Sequence, residues 1–395
     1  MRDERRLVLR QTIESAAADL RALSLAIHDH PELNFEERFA HALLTDFLHD
    51  AGFHVERGAY GLPTAFRASV GEGSPCVAVL CEYDALPEIG HACGHNLIAA
   101  AGVAAGLALK AAAPAGTVVV LGTPAEEGGG GKVVMLERGA FDGVDVAMMV
   151  HPAPGHSAWP NVIGVEALEA QFFGRSAHAA MAPHEGVNAL DAMVLAFNAV
   201  ALLRQQLPPD TRVHGVITRG GTKPNIIPDH TAAELYVRAR HPHELDRLKE
   251  RVVACFDGAA RATGCRLEVR WPGPRFRDLR TNDPLAARYV SHLEALGVTV
   301  PPRGDNPLDR MLLSTDMGNV SYAVPAIHPL FRIETEGGNH TPAFAEAARS
   351  MEAHRAMLLA ATAMAETAFD CFVDPALLNQ ARAAFALPLS TTGEE

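Results

Sequence analysis

Six side chains of the types that bind metal ions or use them in catalysis stand out in this chain. They comprise one thiol, three imidazoles and two carboxylates, namely Cys93, His95, Glu126, Glu127, His151 and His340. Zinc-like ions take thiolate, imidazole and carboxylate ligands. Three of the segments that carry them follow the apolar runs 76–80, 118–121 and 144–150. Because ligands in open α/β sheets gather at the carboxyl ends of strands, this placement predicts a metal-dependent hydrolase.

Glu126 and Glu127 stand side by side between an apolar run and the glycines of TPAEEGGGG. Adjacent carboxylates repel each other unless a cation compensates their charge or one of them is protonated. A solvated turn is the alternative interpretation, but the small residues on both sides allow the backbone to pack closely around a site. In metallohydrolases one carboxylate can bind the metal while another acts as general base, so the pair favours a catalytic site.

The remaining candidates carry weight only as a set, because a buried cysteine or histidine is often an inert core residue. Glycines and turn residues surround Cys93 and His95 in EYDALPEIGHACGHN, where His91 is a competitor. The predicted ligands are Cys93, His95, Glu127, His151 and His340. This set exceeds what one tetrahedral ion needs and therefore predicts two ions about 3.5–4 Å apart. The thiolate favours zinc, although manganese, cobalt or nickel could occupy the same ligands.

Residues in the middle and towards the end of the chain are candidates for binding substrate. His178, in GRSAHAAMAPHEGVNAL, is either a structural histidine or a donor that stabilises the oxyanion of a tetrahedral intermediate. Thr222 and Asn225, in GGTKPNIIPDH, could bind a substrate carboxylate or carbonyl, or could simply shape a turn. Arg332 could bind a substrate carboxylate or form a salt bridge.

The elements that must position these residues fall into three stretches. Two helices are predicted at 13–30 and 36–51, with Asn34 as the N-cap of the second. Strand-like runs then alternate with helices to about residue 163, which predicts an α/β fold with a largely parallel sheet. Residues 164–278 follow a β-α-β-β-α-β order, which is typical of a small α+β domain.

Helix and strand patterns return after this middle stretch, including a strand-like run at 321–327. Because His340 also follows the middle stretch, a single site requires that residues 164–278 be an insertion. The catalytic domain is then predicted to comprise 1–163 and 279–395.

Composition excludes several classes of partner. The net charge of −13 and the lack of Lys/Arg runs argue against nucleic acid or an anionic membrane as the main partner. The N-terminal residues do not resemble a signal peptide, and the small-apolar run 97–109 is too short to span a bilayer, so it predicts a buried helix. Six cysteines are too few for a disulfide framework. We therefore expect reduced cysteines and a cytoplasmic protein.

Six segments, in order along the chain, resemble those of the aminoacylase and carboxypeptidase family of dinuclear metallopeptidases. They are EYDALPEIGHACGHN, TPAEEGGGGK, GRSAHAAMAPHEGVNALDA, NIIPDH, STDMGNVS and GGNHTPAF. The resemblance runs from about residue 28 to 350 and is strongest to the amidohydrolase branch, which includes p-aminobenzoyl-glutamate, indole-acetyl-amino-acid and dipeptidase-like hydrolases. It implies a parallel-rich catalytic domain flanked by helices, and an inserted α+β lid domain through which a homodimer forms.

The resemblance also implies roles for single residues. The positions that match Cys93, His95, Glu127, His151 and His340 are metal ligands. The position of Glu126 is the general base, and the position of His178 contacts the substrate, frequently from the partner subunit. The wider family begins its site with His-x-Asp, where this chain has Glu82-Tyr83-Asp84. The first-ligand role therefore passes to the Cys-Gly-His segment, and Asp84 at most orients a ligand.

The function predicted from the sequence is hydrolysis of the amide bond of an N-acyl, N-aroyl or aminoacyl amino acid with a free carboxylate. Glu126 takes a proton from the attacking water and returns it to the leaving amine, while two divalent ions and His178 stabilise the oxyanion. One alternative is a cysteine-nucleophile hydrolase that uses Cys93 and His95, for which no third orienting group is evident. The other is a catalytically silent binding protein, against which the retained Glu126 argues.

Overall fold

The protein, as a computed structural model, is described over residues 2–113 and 115–387. Its helices are α1 (Arg2–Ser15), α2 (Ala17–Asp29), α3 (Arg38–Asp50), α4 (His95–Ala112), α5 (Gly131–Glu137), α6 (Ala189–Arg204), α7 (Pro242–Thr263), α8 (Asp283–Ala295), α9 (Met317–Val320), α10 (Pro342–Ala347), α11 (Met351–Val373) and α12 (Pro375–Ala386). Its strands are β1 (His54–Arg57), β2 (Phe66–Gly71), β3 (Cys76–Cys81), β4 (Thr117–Gly122), β5 (Val146–Met148), β6 (His151–Ala153), β7 (Gly164–Phe173), β8 (Arg212–Arg219), β9 (His230–Ala239), β10 (Arg266–Arg270), β11 (Ala326–Ile327) and β12 (Leu330–Arg332).

These elements form two compact units. The first unit combines Met1–Asn161 with Leu279–Glu395, and the second is Val162–Asp278, which interrupts the first in sequence. We call the second unit the lid. The end of the predicted catalytic domain, 388–395, lies outside the described residues.

The first unit is built on a six-stranded sheet in the order β1-β2-β4-β3-β5-β11. Its last four strands run parallel, and β1 and β2 are antiparallel additions at one edge. Alternate residues of β3 belong to different hydrophobic clusters, with Val77 and Val79 on one face and Ala78 and Leu80 on the other. Both faces are therefore covered, which explains why its sequence is continuously apolar. The predicted parallel-rich α/β fold is confirmed.

Helix α4 is the central helix of this unit, as the small-apolar run at 97–109 predicted. A Cβ atom on Gly102 would lie 2.7 Å from the carbonyl oxygen of Leu80, so this glycine allows the helix to pack directly against β3. Among the described residues, α4 and α11 are long and apolar enough to cross a membrane. However, 83% and 72% of their apolar windows are buried within the fold, as in core helices.

The lid is a four-stranded antiparallel sheet in the order β10-β7-β9-β8, with α6 and α7 packed against it. Its elements follow the chain order β-α-β-β-α-β, which confirms the predicted α+β domain. Helix α6 begins after Asn188, whose side chain accepts hydrogen bonds from the amides of Leu190 and Asp191. Strand β8 lies at an edge of the sheet, and of its residues only Val213 is buried.

Two local predictions are wrong. Asn34 does not cap a helix, because α3 begins at Arg38 and the side-chain amide of Asn34 donates instead to the carbonyl of Glu127 at 3.1 Å. The strand predicted at 321–327 is confined to β11. Ser321 continues the turn of α9, with its backbone amide donating to the carbonyl of Met317 and its hydroxyl donating to that of Gly318.

Candidate metal centre

The carboxyl ends of the parallel strands bring the polar residues of the first unit together. Strands β3, β4, β5 and β11 each end in a segment that carries acidic or histidine side chains. In strand order these residues are Glu82 and Asp84, Glu126 and Glu127, His151, and His328. Cys93 and His95 follow the β3 segment and mark the start of α4, whose N-cap, Gly94, has a left-handed φ of 78°.

The five predicted ligands form two groups that meet at one thiol. One group is Cys93, His95 and His151, and the other is Cys93, Glu127 and His340. Within each group, one possible ligand atom per residue lies within 4.8 Å of the others. The Sγ atom of Cys93 is 3.5 Å from Nε2 of His151, and Nε2 of His340 is 3.2 Å from a carboxylate oxygen of Glu127. All five predicted ligands therefore converge, as two sets of three that share Cys93.

Hydrogen bonds fix the orientation of the predicted ligands. One carboxylate oxygen of Asp84 lies 2.9 Å from Nδ1 of His95, and the other accepts the backbone amide of Glu127 at 2.9 Å. Nδ1 of His151 lies 2.8 Å from the carbonyl of Pro152 and donates to it. Both imidazoles therefore direct Nε2 towards the other ligands. Contacts of this kind select the tautomer and the ring direction of metal-binding histidines.

The turn between α2 and α3 supports the Glu126–Glu127 segment. In addition to the bond from Asn34, the carboxylate of Glu37 accepts the amide of Ala125 at 2.8 Å. Ala125 has a left-handed φ of 58°, a conformation that side-chain-bearing residues adopt only when neighbours hold it. Burial raises the pKa of Glu37 to about 7. The turn thus positions both carboxylates.

Glu126 lies outside the two sets, although it forms a further candidate group with His95 and Glu127, and its environment suits proton transfer. It is 7% exposed, and its carboxylate lies 3.8 Å from Nε2 of His95. Burial, together with the charges of Glu82 and Glu127, raises the pKa of Glu126 well above its usual value. Nearby cations oppose this shift and favour the ionised, basic form.

The charge balance of the site fits divalent cations. Among the described residues around His95, buried carboxylates outnumber buried ammonium groups, of which Lys132 is fully buried. A carboxylate oxygen of Glu82, Nε2 of His95 and a carboxylate oxygen of Glu127 are buried with no hydrogen-bond partner among the described residues. A buried polar atom left without a hydrogen bond costs about 1–3 kcal/mol, and more when its group is charged. Cations bound by these atoms would remove that cost.

His328 is a residue that the sequence analysis missed. It follows β11 as His151 follows β5, and each of the two histidines precedes a proline. The rings of His151 and His328 are nearly perpendicular, with their centroids 5.4 Å apart. His328 is 3% exposed, and burial lowers its pKa to about 3, so the ring is neutral. The repeated pattern of an apolar run, His and Pro was the signal that could have identified it.

Arg332 lies in the first unit, at the end of β12. This strand pairs with β6 so that Leu330 is opposite His151 and Arg332 is opposite Ala153. The guanidinium binds the carboxylate of Glu334 at 2.7 Å, and both side chains are more than half exposed. The salt bridge that the sequence left as an alternative is present.

The other predicted substrate-binding residues, His178, Thr222 and Asn225, belong to the lid, where Thr222 and Asn225 are exposed and His178 lies on a surface loop. The loops that carry His178 and Asn225 are joined, because the amide of Ala179 donates to the carbonyl of Asn225 at 3.1 Å. Thr222 lies on the same loop as Asn225, between β8 and β9. The fold therefore brings His178 and Asn225 onto adjoining loops of one unit.

The ring of His178 is oriented by its own loop. Its Nδ1 accepts the backbone amides of Ala180 at 3.3 Å and Met181 at 3.1 Å. A neutral imidazole that accepts at Nδ1 carries its proton on Nε2. His178 therefore presents an N–H donor at the surface of the lid.

Comparisons with known proteins agree with this architecture. Residues 163–263 match the sequence profile of a peptidase dimerisation domain. The chain is 44% identical to the Xaa-Arg dipeptidase of Mus musculus, over 96% of this chain and 91% of that protein. It is 31% identical to one subunit of the p-aminobenzoyl-glutamate hydrolase of Escherichia coli (strain K12), over 90% of this chain and 89% of that subunit. The fold matches a dinuclear metal-binding peptidase of the M20 family from Bacillus subtilis, with a TM-score of 0.70 at 20% identity over 91% of this chain and 99% of that one.

The fold and the converging polar residues define a two-unit hydrolase with a dimerisation-type insertion. More specifically, the chain belongs to the M20 family of metallopeptidases, which confirms the family inferred from the six sequence segments. It is an enzyme that hydrolyses dipeptide or acyl-amino-acid bonds.

Proposed function

We propose that the protein is a metal-dependent amidohydrolase that cleaves N-acyl, N-aroyl or aminoacyl amino acids with a free carboxylate. The observation that carries this proposal is the pair of three-ligand groups joined at Cys93, with Glu126 beside them. The mixed thiolate, imidazole and carboxylate ligands suit two divalent transition-metal ions, with zinc or manganese as the first candidates.

Different residues of the first unit have different roles in the proposed reaction. When bound, the two ions lower the pKa of the attacking water and polarise the scissile carbonyl. Glu126 takes the proton from that water and delivers it to the leaving amine. Its low exposure limits competition from bulk solvent for this proton. Asp84 keeps His95 in its ligand orientation and holds the backbone of Glu127.

The lid supplies groups for the substrate. His178 donates its Nε2–H to the substrate oxygen as negative charge develops there. Asn225 and Thr222 are candidates for contacts with the substrate carbonyl or carboxylate. Arg332 is a weaker candidate for the carboxylate, because Glu334 already pairs with its guanidinium.

The named relatives narrow the choice of substrate. The mouse protein, at 44% identity, is named for dipeptides that end in arginine, and the Escherichia coli protein, at 31%, for p-aminobenzoyl-glutamate. We therefore rank dipeptides with a basic C-terminal residue first and aroyl-glutamates second.

We also propose that the lid joins two copies of the chain. The edge strand β8 exposes Val216 at 61% and Ile217 at 42%, and α6 exposes Leu202 at 77%. An unpaired edge strand with apolar residues is a ready site for pairing with the same strand of a second copy. The match of this segment to a dimerisation domain supports the same partner. The cytoplasm, where the six free cysteines stay reduced, is the proposed location.

The alternative of a cysteine nucleophile is disfavoured by the surroundings of the thiol. Burial and the charge of Glu127 raise the pKa of Cys93 well above its usual value. A nucleophilic cysteine would have to form the thiolate against this shift, whereas a cation bound at the site would itself deprotonate the thiol that binds it.

A substrate panel with defined metal content tests the proposal. Protein reconstituted with zinc or manganese should hold two ions per chain and should hydrolyse dipeptides, N-acyl amino acids or p-aminobenzoyl-glutamate. A chelator should abolish turnover, and added metal should restore it. Turnover that survives chelation but is lost on thiol alkylation would show a cysteine enzyme. No turnover of any substrate class with two ions bound would show a silent binding protein.

A further inference from the structure

We propose that Glu82 supplies an additional carboxylate ligand to the ion that Nε2 of His95 binds. This inference depends on the proposed function, because it assumes that the centre binds two ions. The ligand set inferred from the sequence leaves Glu82 out.

The main evidence is the position of one carboxylate oxygen of Glu82. Glu82 directly follows β3, and its side chain is fully buried. Its Oε2 atom lies 3.5 Å from Nε2 of His95, and neither atom has a hydrogen-bond partner among the described residues. This separation is longer than an ordinary N–H···O bond. It matches two ligand atoms on one tetrahedral ion, which lie about 3.4 Å apart when each bond is about 2.1 Å.

Lys132 holds the carboxylate in this orientation. Its ammonium is 2.5 Å from Oε1 of Glu82 and 2.7 Å from Asp316, and its backbone amide donates to the second oxygen of Asp316 at 2.9 Å. All three side chains are fully buried. One oxygen of Glu82 is therefore fixed by an ion pair, while the other faces His95 and remains available to a cation.

A purely structural role is the competing explanation. Oxygen atoms of Glu82, Glu126 and Asp316 also lie within 4.8 Å of one another. The ammonium of Lys132 already neutralises this acidic group, so the group does not argue for a third ion. In the structural explanation, Glu82 and Asp316 are equivalent partners of Lys132. In the ligand explanation they differ, because one oxygen of Glu82 faces Nε2 of His95 at 3.5 Å, whereas both oxygens of Asp316 accept hydrogen bonds from Lys132.

The experiment compares Glu82→Gln with the matched variant Asp316→Asn. Zinc affinity is measured by competition with a chelating dye, and the cobalt-loaded proteins are compared by visible absorption. In Glu82→Gln, Lys132 retains the amide oxygen, so a non-ligating NH₂ group faces His95. We expect one of the two zinc ions to bind at least about 10-fold more weakly and the cobalt spectrum to change, because even residues that only orient a ligand affect affinity by about 10–100-fold. Asp316→Asn should leave both readouts close to those of the wild type.

Two results would overturn the ligand role. The first is wild-type affinity and an unchanged spectrum in Glu82→Gln, and the second is equal weakening in both variants. If Glu82→Gln does not fold, Glu82→Asp replaces it, because it keeps the charge for Lys132 but withdraws the oxygens by one methylene. The same loss is expected, and wild-type zinc affinity in that variant would equally contradict the inference. Failure of the wild type to bind two ions would instead refute the proposed function on which the inference depends.

Discussion

The polar residues of the first unit and those of the lid are held in opposite ways. In the first unit the proposed ligands His95 and Glu127 are mostly buried and bonded to Asp84, so their geometry is set before substrate arrives. In the lid His178 and Asn225 lie on surface loops and are ordered mainly by the backbone. Metal content should therefore depend on the first unit alone, whereas turnover should depend on both.

The largest expected effect is that of Cys93→Ala, because this thiol belongs to both ligand groups. The variant should lose both ions and all measurable turnover, as followed by metal analysis and assay. Cys371→Ala is the matched control, since Cys371 is also a buried cysteine but lies in α11. Retention of two ions by Cys93→Ala would contradict a shared thiolate ligand.

Glu126→Gln should separate catalysis from metal binding within the first unit. The amide preserves shape but cannot accept a proton, so kcat should fall by roughly 10²–10⁴-fold with two ions still bound. Glu127→Gln should instead weaken metal binding, because Glu127 belongs to a ligand group. Measurements of kcat and metal content on both proteins would show whether these roles are reversed.

His178→Ala tests the lid. Loss of one oxyanion donor should lower kcat by about 10²–10³-fold without changing metal content. Mixing this variant with Glu126→Gln gives mixed dimers in which one site contains both intact residues, if the lid acts across subunits. Recovered activity would support that arrangement. No recovery, with mixed dimers verified by mass spectrometry, would place His178 in the site of its own subunit or outside catalysis.

The smallest of these effects is expected for Asp84→Asn, which alters an orienting contact rather than a ligand. The side-chain oxygen of the asparagine can accept a hydrogen bond from Nδ1 of His95 or from the amide of Glu127. Its NH₂ group cannot accept the other bond, and the negative charge is lost. Metal affinity should fall by about 10–100-fold, measured by chelator competition. Unchanged affinity would mean that the rest of the first unit holds the ligands without Asp84.

Sequence patterns could identify the site residues that follow strands, because each strand and the residue after it are neighbours in the sequence. They also showed the change in the order of predicted strands and helices that separates the lid from the rest of the chain. They could not show that Cys93 belongs to both ligand groups, since this depends on where distant segments meet. Asn34 illustrates the same limit, because a local capping rule was overridden by its tertiary contact with Glu127. Lys132 gave no signal, as its acidic partners Glu82 and Asp316 are remote in sequence.

The insertion of the lid also determines when the centre can form during protein synthesis. Cys93, His95 and His151 leave the ribosome early, so one ligand group is complete before the lid is made. The group that contains Glu127 is incomplete until His340 is synthesised, which happens only after the whole lid. Domains generally fold as units, and the first unit is completed only by residues 279–395. A chain translated only through the lid therefore carries the proposed general base, Glu126, and one full candidate ligand group, but it lacks the residue that completes the other group. Catalytic competence is thus withheld until synthesis has passed the insertion.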